Sequence, residues 1–335
     1  MNEPRQMIVA QDDDGQRLDR WCKKHTPDLS YILVQKLARK GQIRVDGKRV
    51  KTDFRLEQGQ EVRLPPLRNY GGNYDGGKDE KKLSDKDVDY IRSLIIYQDE
   101  YVIALNKPSG LATQGGSKTH YHVDMLSEAL IDKAGVKPRL VHRLDKETSG
   151  VLLLARSAKI SQKLGAMFKG RNIRKIYWAL CHPVPEIYEG TIRAPIAKSG
   201  GANKEKMTVD EEEGKFSITD YSVLDHAGDR IAFMAFYPRT GRTHQIRVHA
   251  QISGFPILGD EKYPYIEDSD VKKPLPDLSD LDIGDRLHLH ARRIILPHPG
   301  RAGILDITAP LPPELMKSWK ALSFDPADKT DPFAG

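Results

Sequence analysis

The sequence predicts an α+β protein in two parts: a mixed, mainly antiparallel sheet domain large enough for catalysis, preceded by a small domain of two helices on a ribbon. Three observations lead there. At 335 residues the chain exceeds what one small core requires. From residue 93 onward, short apolar runs alternate with turns, and few helical patterns intervene. The stretch 16–55 stands apart in charge, with twelve Lys or Arg against four Asp, a local +8 where the whole chain carries +6.

The elements follow in chain order. Leu18, Trp21 and Cys22 form a short helical stripe, and Ser30 suits the N-cap of a second helix. In that helix Leu33, Leu37 and Ala38 share a face until Gly41 stops it. "IRVDGKRV" then alternates Ile43, Val45 and Val50 with cations around Asp46-Gly47, a dipeptide suited to a two-residue type I′ hairpin. This pattern, over residues 16–65, resembles the S4 RNA-binding domain. The resemblance implies RNA contacts from Arg17, Lys36, Arg39, Lys40, Arg44 and Lys48. Cations on helix ends and hairpins bind phosphates, so such a module supplies affinity and little sequence information.

Residues 66–90 read as a flexible linker, glycine-rich and then mixed in charge, with almost no large apolar side chain. The sheet domain is expected over 91–325. Its strands are read in "SLIIYQDEYVIALNKPSG", "GVLLLAR", "KIYWALCHPV", "RIAFMAFYPRTG" and "RLHLHARRIILPHP". The clearest helix is "SAKISQKLGAMFKGR", N-capped by Ser157, with Ile160, Leu164, Met167 and Phe168 facing a core and a basic end at Lys169 and Arg171. "VDEEEGK" reads as an exposed acidic turn.

Composition excludes several classes. Apolar residues make up 39% and charged residues 30%, and no apolar stretch approaches the roughly 20 residues that span a bilayer. The polar N-terminus holds no export signal, so cytoplasmic residence is expected. Cys22 and Cys181 are far apart, each within an apolar pattern, which suits two buried thiols. His244 and His249 miss the i, i+4 spacing of a zinc helix, and His288 and His290 lack a completing ligand, so no metal is expected. "GLATQGGSKTH" fits neither phosphate-cradling glycine motif, and there is no GxSxG elbow.

Three polar clusters remain: "HRLDKETSG", "RNIRKIYWAL" and "PRTGRTHQIRVHAQISGFPILGDEKY". In the first, Asp145 sits between Arg143 and Lys146 at the threshold of an apolar strand. A carboxylate there could be a salt-bridged structural group, a metal ligand or a nucleophile. Arginines among apolar residues need partners, because an unpaired buried charge is costly.

These clusters, together with "LNKPSGL" and "LHA", resemble the active-site motifs of the RluA-type pseudouridine synthases over about residues 93–322. The N-terminal module resembles the arrangement of the larger bacterial members, among them the RluC and RluD branches, which act on large-subunit ribosomal RNA. The resemblance implies the pseudouridine synthase fold and isomerisation of uridines, most naturally in 23S ribosomal RNA, by base flipping and attack of a carboxylate. By motif position, Asp145 is the implied nucleophile, whether it attacks C1′ of the ribose, attacks C6 of the base or assists elimination at C2′, Arg247 is the basic residue paired with it, and Tyr177 is the ring that stacks on the base and helps move a proton. Ile246 is implied as an aliphatic wall and Arg143 as the side chain that fills the gap left by the flipped base. His142 and Arg242 join the substrate-contacting set. No cofactor is implied, since no redox or phosphoryl step occurs, and a monomer is expected. A tRNA-directed synthase and a non-catalytic ribosomal RNA-binding assembly factor are the alternatives.

Overall fold

A computed structural model describes the chain except for residues 1–3, 27–28, 30, 67–82, 117–118, 171, 201–205, 266–282, 284 and 335. The proposed cap Ser30, most of the expected linker and Arg171 therefore lie outside the described residues. Two compact units emerge, Met1–Lys82 and Leu83–Gly335. Among the described residues, no helix is long and apolar enough to cross a membrane.

The first unit packs helices α1 (Leu18–His25) and α2 (Tyr31–Arg39) on a three-stranded sheet of β1 (Arg5–Ile8), β2 (Arg44–Val45) and β3 (Glu61–Leu64) in the order β1-β3-β2. Leu18, Trp21, Cys22, Leu37, Ile43, Val62 and Leu64 are buried between them. Asp46 and Gly47 both have positive φ, 48° and 72°, and Val45 and Lys48 exchange backbone hydrogen bonds across them, as the Asp-Gly signal requires. Two features depart from the sequence expectation. Beyond the single Val45–Lys48 bridge of the turn, β2 pairs with the distant β3, and the sheet takes in β1, upstream of the expected boundary at residue 16.

The second unit opens with α3 (Asp85–Ser93), inside the stretch read as linker to residue 90. A capping box explains it: Ser84 accepts the Asp87 N–H, and the Asp87 side chain accepts the Ser84 N–H. The charged face of α3 is solvated while Ile91 is buried, so composition alone hid the helix.

A ten-stranded sheet forms the body of this unit. Its strands are β4 (Ile95–Gln98), β5 (Val102–Lys107), β6 (Arg139–Leu140), β7 (Ser149–Ala155), β8 (Arg174–Cys181) and β9 (Glu189–Arg193). A separate hairpin, β10 (Ile196–Lys198) and β11 (Met207–Val209), precedes β12 (Ile218–Ala227), β13 (Ile231–Pro238), β14 (Leu289–Pro297) and β15 (Ile304–Thr308). The main path runs β4-β5-β7-β14-β8-β13-β12-β9, with β15 on β14 and β6 on β7. Its ladders are antiparallel except for β7 with β14, which is the mixed, mainly antiparallel sheet of an α+β fold.

Alternation along the strands divides the core. On β7, Val151 and Leu153 pack with Ile160 and Leu164 of α5 (Ala158–Gly170), while Leu152 and Leu154 pack on the other face with Ile91 and with Val123 and Leu126 of α4 (Val123–Leu126). The expected cap holds, with Ser157 Oγ accepting the Ile160 N–H at 3.3 Å. On β8, Ile176, Trp178 and Leu180 meet α7 (Pro313–Ala321), and Tyr177, Ala179 and Cys181 face α6 (Gln245–Ile252). Each fully buried Val, Leu or Ile among them contributes about 1.5–3 kcal/mol. Tyr177 is thereby pointed to the face that α6 covers.

Candidate active site

A cavity of about 530 Å³ opens between the 142–148 loop, β8, the turn 238–243 and the first turn of α6. Asp145, Tyr177, Arg247, Arg143, Ile246, His142 and Arg242 all line it, so residues spread over about a hundred positions converge. Lys169, Lys175 and Arg239 add further positive charge, and Asp145 is the one carboxylate among the lining residues.

The loop that carries Asp145 is clamped from both sides. Lys107, fully buried at the end of β5, donates to the carbonyls of Pro108, Leu111 and Lys146 at 2.8–3.0 Å. Ser109 donates to the Glu147 carbonyl, and Gly110 N–H to that of Lys146. On the other side, Thr113 Oγ donates to the Leu144 carbonyl at 2.7 Å and accepts its N–H at 3.2 Å. "LNKPSGL" is thus the brace of the Asp145 loop. Burial pushes the Lys107 pKa down to about 7, against the opposing pull of Glu147 and Asp145. Sequence reasoning missed Lys107; the signal was a lysine closing a strand that opens with the apolar run Val102 to Leu105. Gly150, at φ 111°, completes the support, because a Cβ there would strike the Ala291 backbone of "LHA".

Every residue of "THQIR" after the threonine has an assignable contact. Gln245 is buried, accepts from Thr240 Oγ and Arg242 N–H, and donates to the Ile218 carbonyl and Thr219 Oγ, tying the turn to β12. Ile246 lies against the cavity. His249, further along α6, has Nδ1 2.9 Å from Thr219 Oγ and Nε2 3.1 Å from the Ala194 carbonyl, a packing role.

Arg247 corrects the sequence expectation. Its guanidinium forks onto Asp260 of "GDEKY", at 2.7 and 2.6 Å, rather than onto Asp145. Asp260 Oδ1 also accepts the N–H groups of Lys262 and Tyr263, and the Tyr263 ring lies under the guanidinium at 5.1 Å. Burial lowers the Arg247 pKa, but the Asp260 hydrogen bonds and the charges of Asp260 and Asp145 outweigh it and leave it raised. Arg247 therefore acts on Asp145 through the field and not through contact. The one basic side chain within 4.0 Å of the Asp145 carboxylate, among the described residues, is His244, with Nε2 3.7 Å from Oδ2.

The Asp145 carboxylate is 20% exposed and accepts no side-chain or backbone hydrogen bond among the described residues. Structural buried carboxylates are satisfied; this one is held ready and left open. Tyr177 is half-buried in the same cavity, and desolvation and then the Asp145 charge raise its pKa, so the phenol is protonated at neutral pH. Lys175, on the same strand face as Tyr177, has its pKa pushed down to about 8 by burial. His142 is neutral, its pKa pushed to about 3 by burial and by Lys175; Nε2 accepts the Leu153 N–H and the ring stacks on Phe168 at 4.7 Å. It braces the wall, with its polar edge committed to the protein. Arg143 is exposed and unpaired among the described residues, and Arg242 reaches the Phe216 carbonyl at 3.4 Å.

In the N-terminal unit, Lys36, Arg39, Lys40 and Lys48 are exposed, and none has an ion-pair partner among the described residues. Arg17 instead forks onto Asp19, and Arg44 donates to the Gly41 and Gly47 carbonyls, so both are partly committed locally. No cluster of three metal-ligating side chains occurs among the described residues.

Residues 101–251 match the RNA pseudouridylate synthase family, and residues 16–62 match the S4 domain. The chain is 33% identical over 322 residues to the ribosomal large subunit pseudouridine synthase C of Escherichia coli, covering 94% of this chain and 96% of that one. The protein of that name from Rickettsia conorii is 37% identical over 252 residues, covering 74% and 82%. Among solved structures, human RNA Pseudouridylate Synthase Domain Containing 4 matches with a TM-score of 0.59 at 28% identity, over 72% of this chain and 98% of that one.

Proposed function

The chain belongs to the RNA pseudouridylate synthase family, and from that premise we propose that it isomerises particular uridines of large-subunit ribosomal RNA, with Asp145 as the nucleophile. The observation that carries this reading is the Asp145 carboxylate itself. It stands in a nucleotide-sized cavity, rigidly braced through its backbone, ringed by cations and free of hydrogen bonds. A salt-bridged structural acid would have its partner in contact, and the arginine that could have served is taken by Asp260.

The reaction breaks the N1–C1′ bond, turns the base and forms C5–C1′, with the C5 proton lost and N1 protonated, so nothing is oxidised or reduced. Access to C1′ and C5 requires the uridine to leave its stack, at a few kcal/mol. Tyr177 offers a ring face for the flipped base. Its raised pKa favours a phenol that donates a hydrogen bond over one that takes a proton. Arg143, exposed and unpaired beside the cavity mouth, suits the gap the base leaves. Lys169, Lys175 and Arg242 line the cavity, which suits them to RNA phosphates, and the exposed cations on and just after α2 and on the Asp46-Gly47 hairpin suit sequence-independent affinity. The chain acts as a monomer in the cytoplasm on this reading, and the buried free thiols Cys22 and Cys181 suit a reducing compartment.

The test is release of tritium from ribosomal RNA labelled at uridine C5, with labelled tRNA as a second arm. Wild type is expected to release label from ribosomal RNA. Asp145→Asn is expected to bind RNA and release none. Turnover by that variant, or release from tRNA alone, refutes the corresponding part of the reading.

A further inference from the structure

The proposed reaction leaves His244 and Tyr263 without a role, yet these two side chains have the most defined proton geometry around Asp145. His244 has φ 55° and ψ 18°, the left-handed conformation that is uncommon outside Gly and enriched in Asn, Asp and His. This backbone turn closes the 238–243 loop immediately before α6 and presents the imidazole to Asp145.

Three groups in series fix where its proton lies. Tyr263 is 1% exposed, and its Oη accepts the Met207 N–H at 2.8 Å. The same Oη stands 2.8 Å from His244 Nδ1. A phenol has one proton to donate, and the described contacts offer it one acceptor, His244 Nδ1. Were Nδ1 protonated, the buried phenol proton would have no acceptor, an arrangement folded proteins avoid. A neutral imidazole accepting at Nδ1 carries its hydrogen on Nε2. That is the nitrogen 3.7 Å from Asp145 Oδ2. The charged neighbours agree with a neutral ring: burial lowers the His244 pKa, Arg247 and Lys262 add to the effect, and Asp145 and Asp260 oppose it without reversing it.

We infer that Met207 N–H, Tyr263 O–H and His244 form a directed donor relay, in which His244 is a neutral positioning residue that donates Nε2–H to Asp145 Oδ2 and leaves Oδ1 to attack. This rests on the reading of Asp145 as the nucleophile. The separation of 3.7 Å exceeds hydrogen-bond range, and such contacts tighten when substrate closes a site. Tyr263 links the relay to the rest of the site, because its ring also supports the Arg247 guanidinium that forks onto Asp260. The "GDEKY" segment thus holds the arginine with its acid and the histidine with its tyrosine.

Two variants separate the donor from the fold. In His244→Asn, the amide oxygen reproduces the Nδ1 acceptor for Tyr263 and the residue suits a left-handed backbone, but the Nε2–H is lost. In His244→Gln, the amide nitrogen reaches the position of Nε2–H, on a backbone less suited to it. Any folding effect therefore favours Asn, and a relay favours Gln. Single-turnover tritium release from C5-labelled ribosomal RNA by the full chain, with RNA affinity and melting temperature alongside, reads the difference. His244→Asn is expected to slow the step about 10- to 100-fold with RNA affinity nearly unchanged. His244→Gln is expected to recover most of that loss, and Tyr263→Phe to fall between. Equal rates for Asn and Gln, or a wild-type rate in His244→Asn while Asp145→Asn is inactive, overturn the relay. Turnover by Asp145→Asn would instead overturn the nucleophile assignment beneath it.

Discussion

Replacing Asp260 by Asn tests which acid Arg247 belongs to. The Arg247 and Asp260 side chains are 6% and 0% exposed and share two hydrogen bonds of 2.7 and 2.6 Å. Asn at 260 keeps a carbonyl for the Lys262 and Tyr263 N–H groups but leaves the guanidinium buried without its counter-charge. Breaking one side of such a pair destabilises by about 3–5 kcal/mol. At about 2–4 °C per kcal/mol for a domain of this size, the melting temperature should fall by about 6–20 °C. Asp145→Asn removes a carboxylate that accepts no hydrogen bond, so it should leave stability within about 1 kcal/mol. Denaturation followed by tryptophan fluorescence reports on the catalytic unit through the buried Trp178 and Trp319, with Trp21 reporting on the N-terminal unit as an unaffected reference. Asp145→Asn destabilising as much as Asp260→Asn would refute the pairing and restore the Arg247–Asp145 pair that the sequence motifs suggested.

Other expectations follow from the same geometry. Gly150→Ala combines a disallowed φ of 111° with a collision against the Ala291 carbonyl, so a loss above about 3 kcal/mol is expected, and a melting curve within about 1 kcal/mol of wild type would contradict it. His288 and His290 are buried, and burial pushes both pKa values down to about 4. Unfolded histidine binds its proton near pH 6.5, so stability is fully present above that pH and should fall by up to about 3 kcal/mol per pH unit towards 4; a flat denaturation midpoint between pH 7 and 5 would refute this. Replacing Lys36, Arg39, Lys40 and Lys48 together by Ala should flatten the dependence of log affinity on log salt by about 0.7 for each RNA phosphate these side chains neutralise, and an unchanged slope would exclude the N-terminal unit as the RNA anchor.

Much of the candidate site was legible in the sequence because its residues sit in contiguous motifs that resemble those of a known family. Asp145 stands between two cations just before an apolar strand and Tyr177 lies within another behind a run of cations, and the resemblance of these motifs to a known family gave them their expected roles. The N-terminal hairpin was legible because Asp46-Gly47 encodes its own positive φ values. The linker reading failed at α3 because a capping box and a single buried face at Ile91 suffice to make a helix from a largely charged segment. Lys107 and Gly150 were seen only as members of motifs. Their purposes, three carbonyl bonds in one case and closeness to Ala291 in the other, depend on chain segments up to about 140 residues away.

The sequence by itself determined most of the elements, since periodicity and caps are properties of neighbouring residues, while the class of chemistry and the acid proposed to perform it came from the resemblance of its motifs to those of a known family. Which side chains meet was decided by tertiary structure alone. Arg247 went to Asp260 rather than Asp145 because α6 and the 260–263 segment pack together and bury that pair, whereas Asp145 stands at the cavity wall. The same packing brought Tyr263 to His244 and His244 to Asp145. Spacing along a chain cannot express that choice, because a buried charge is paired by whichever partner reaches it with water excluded.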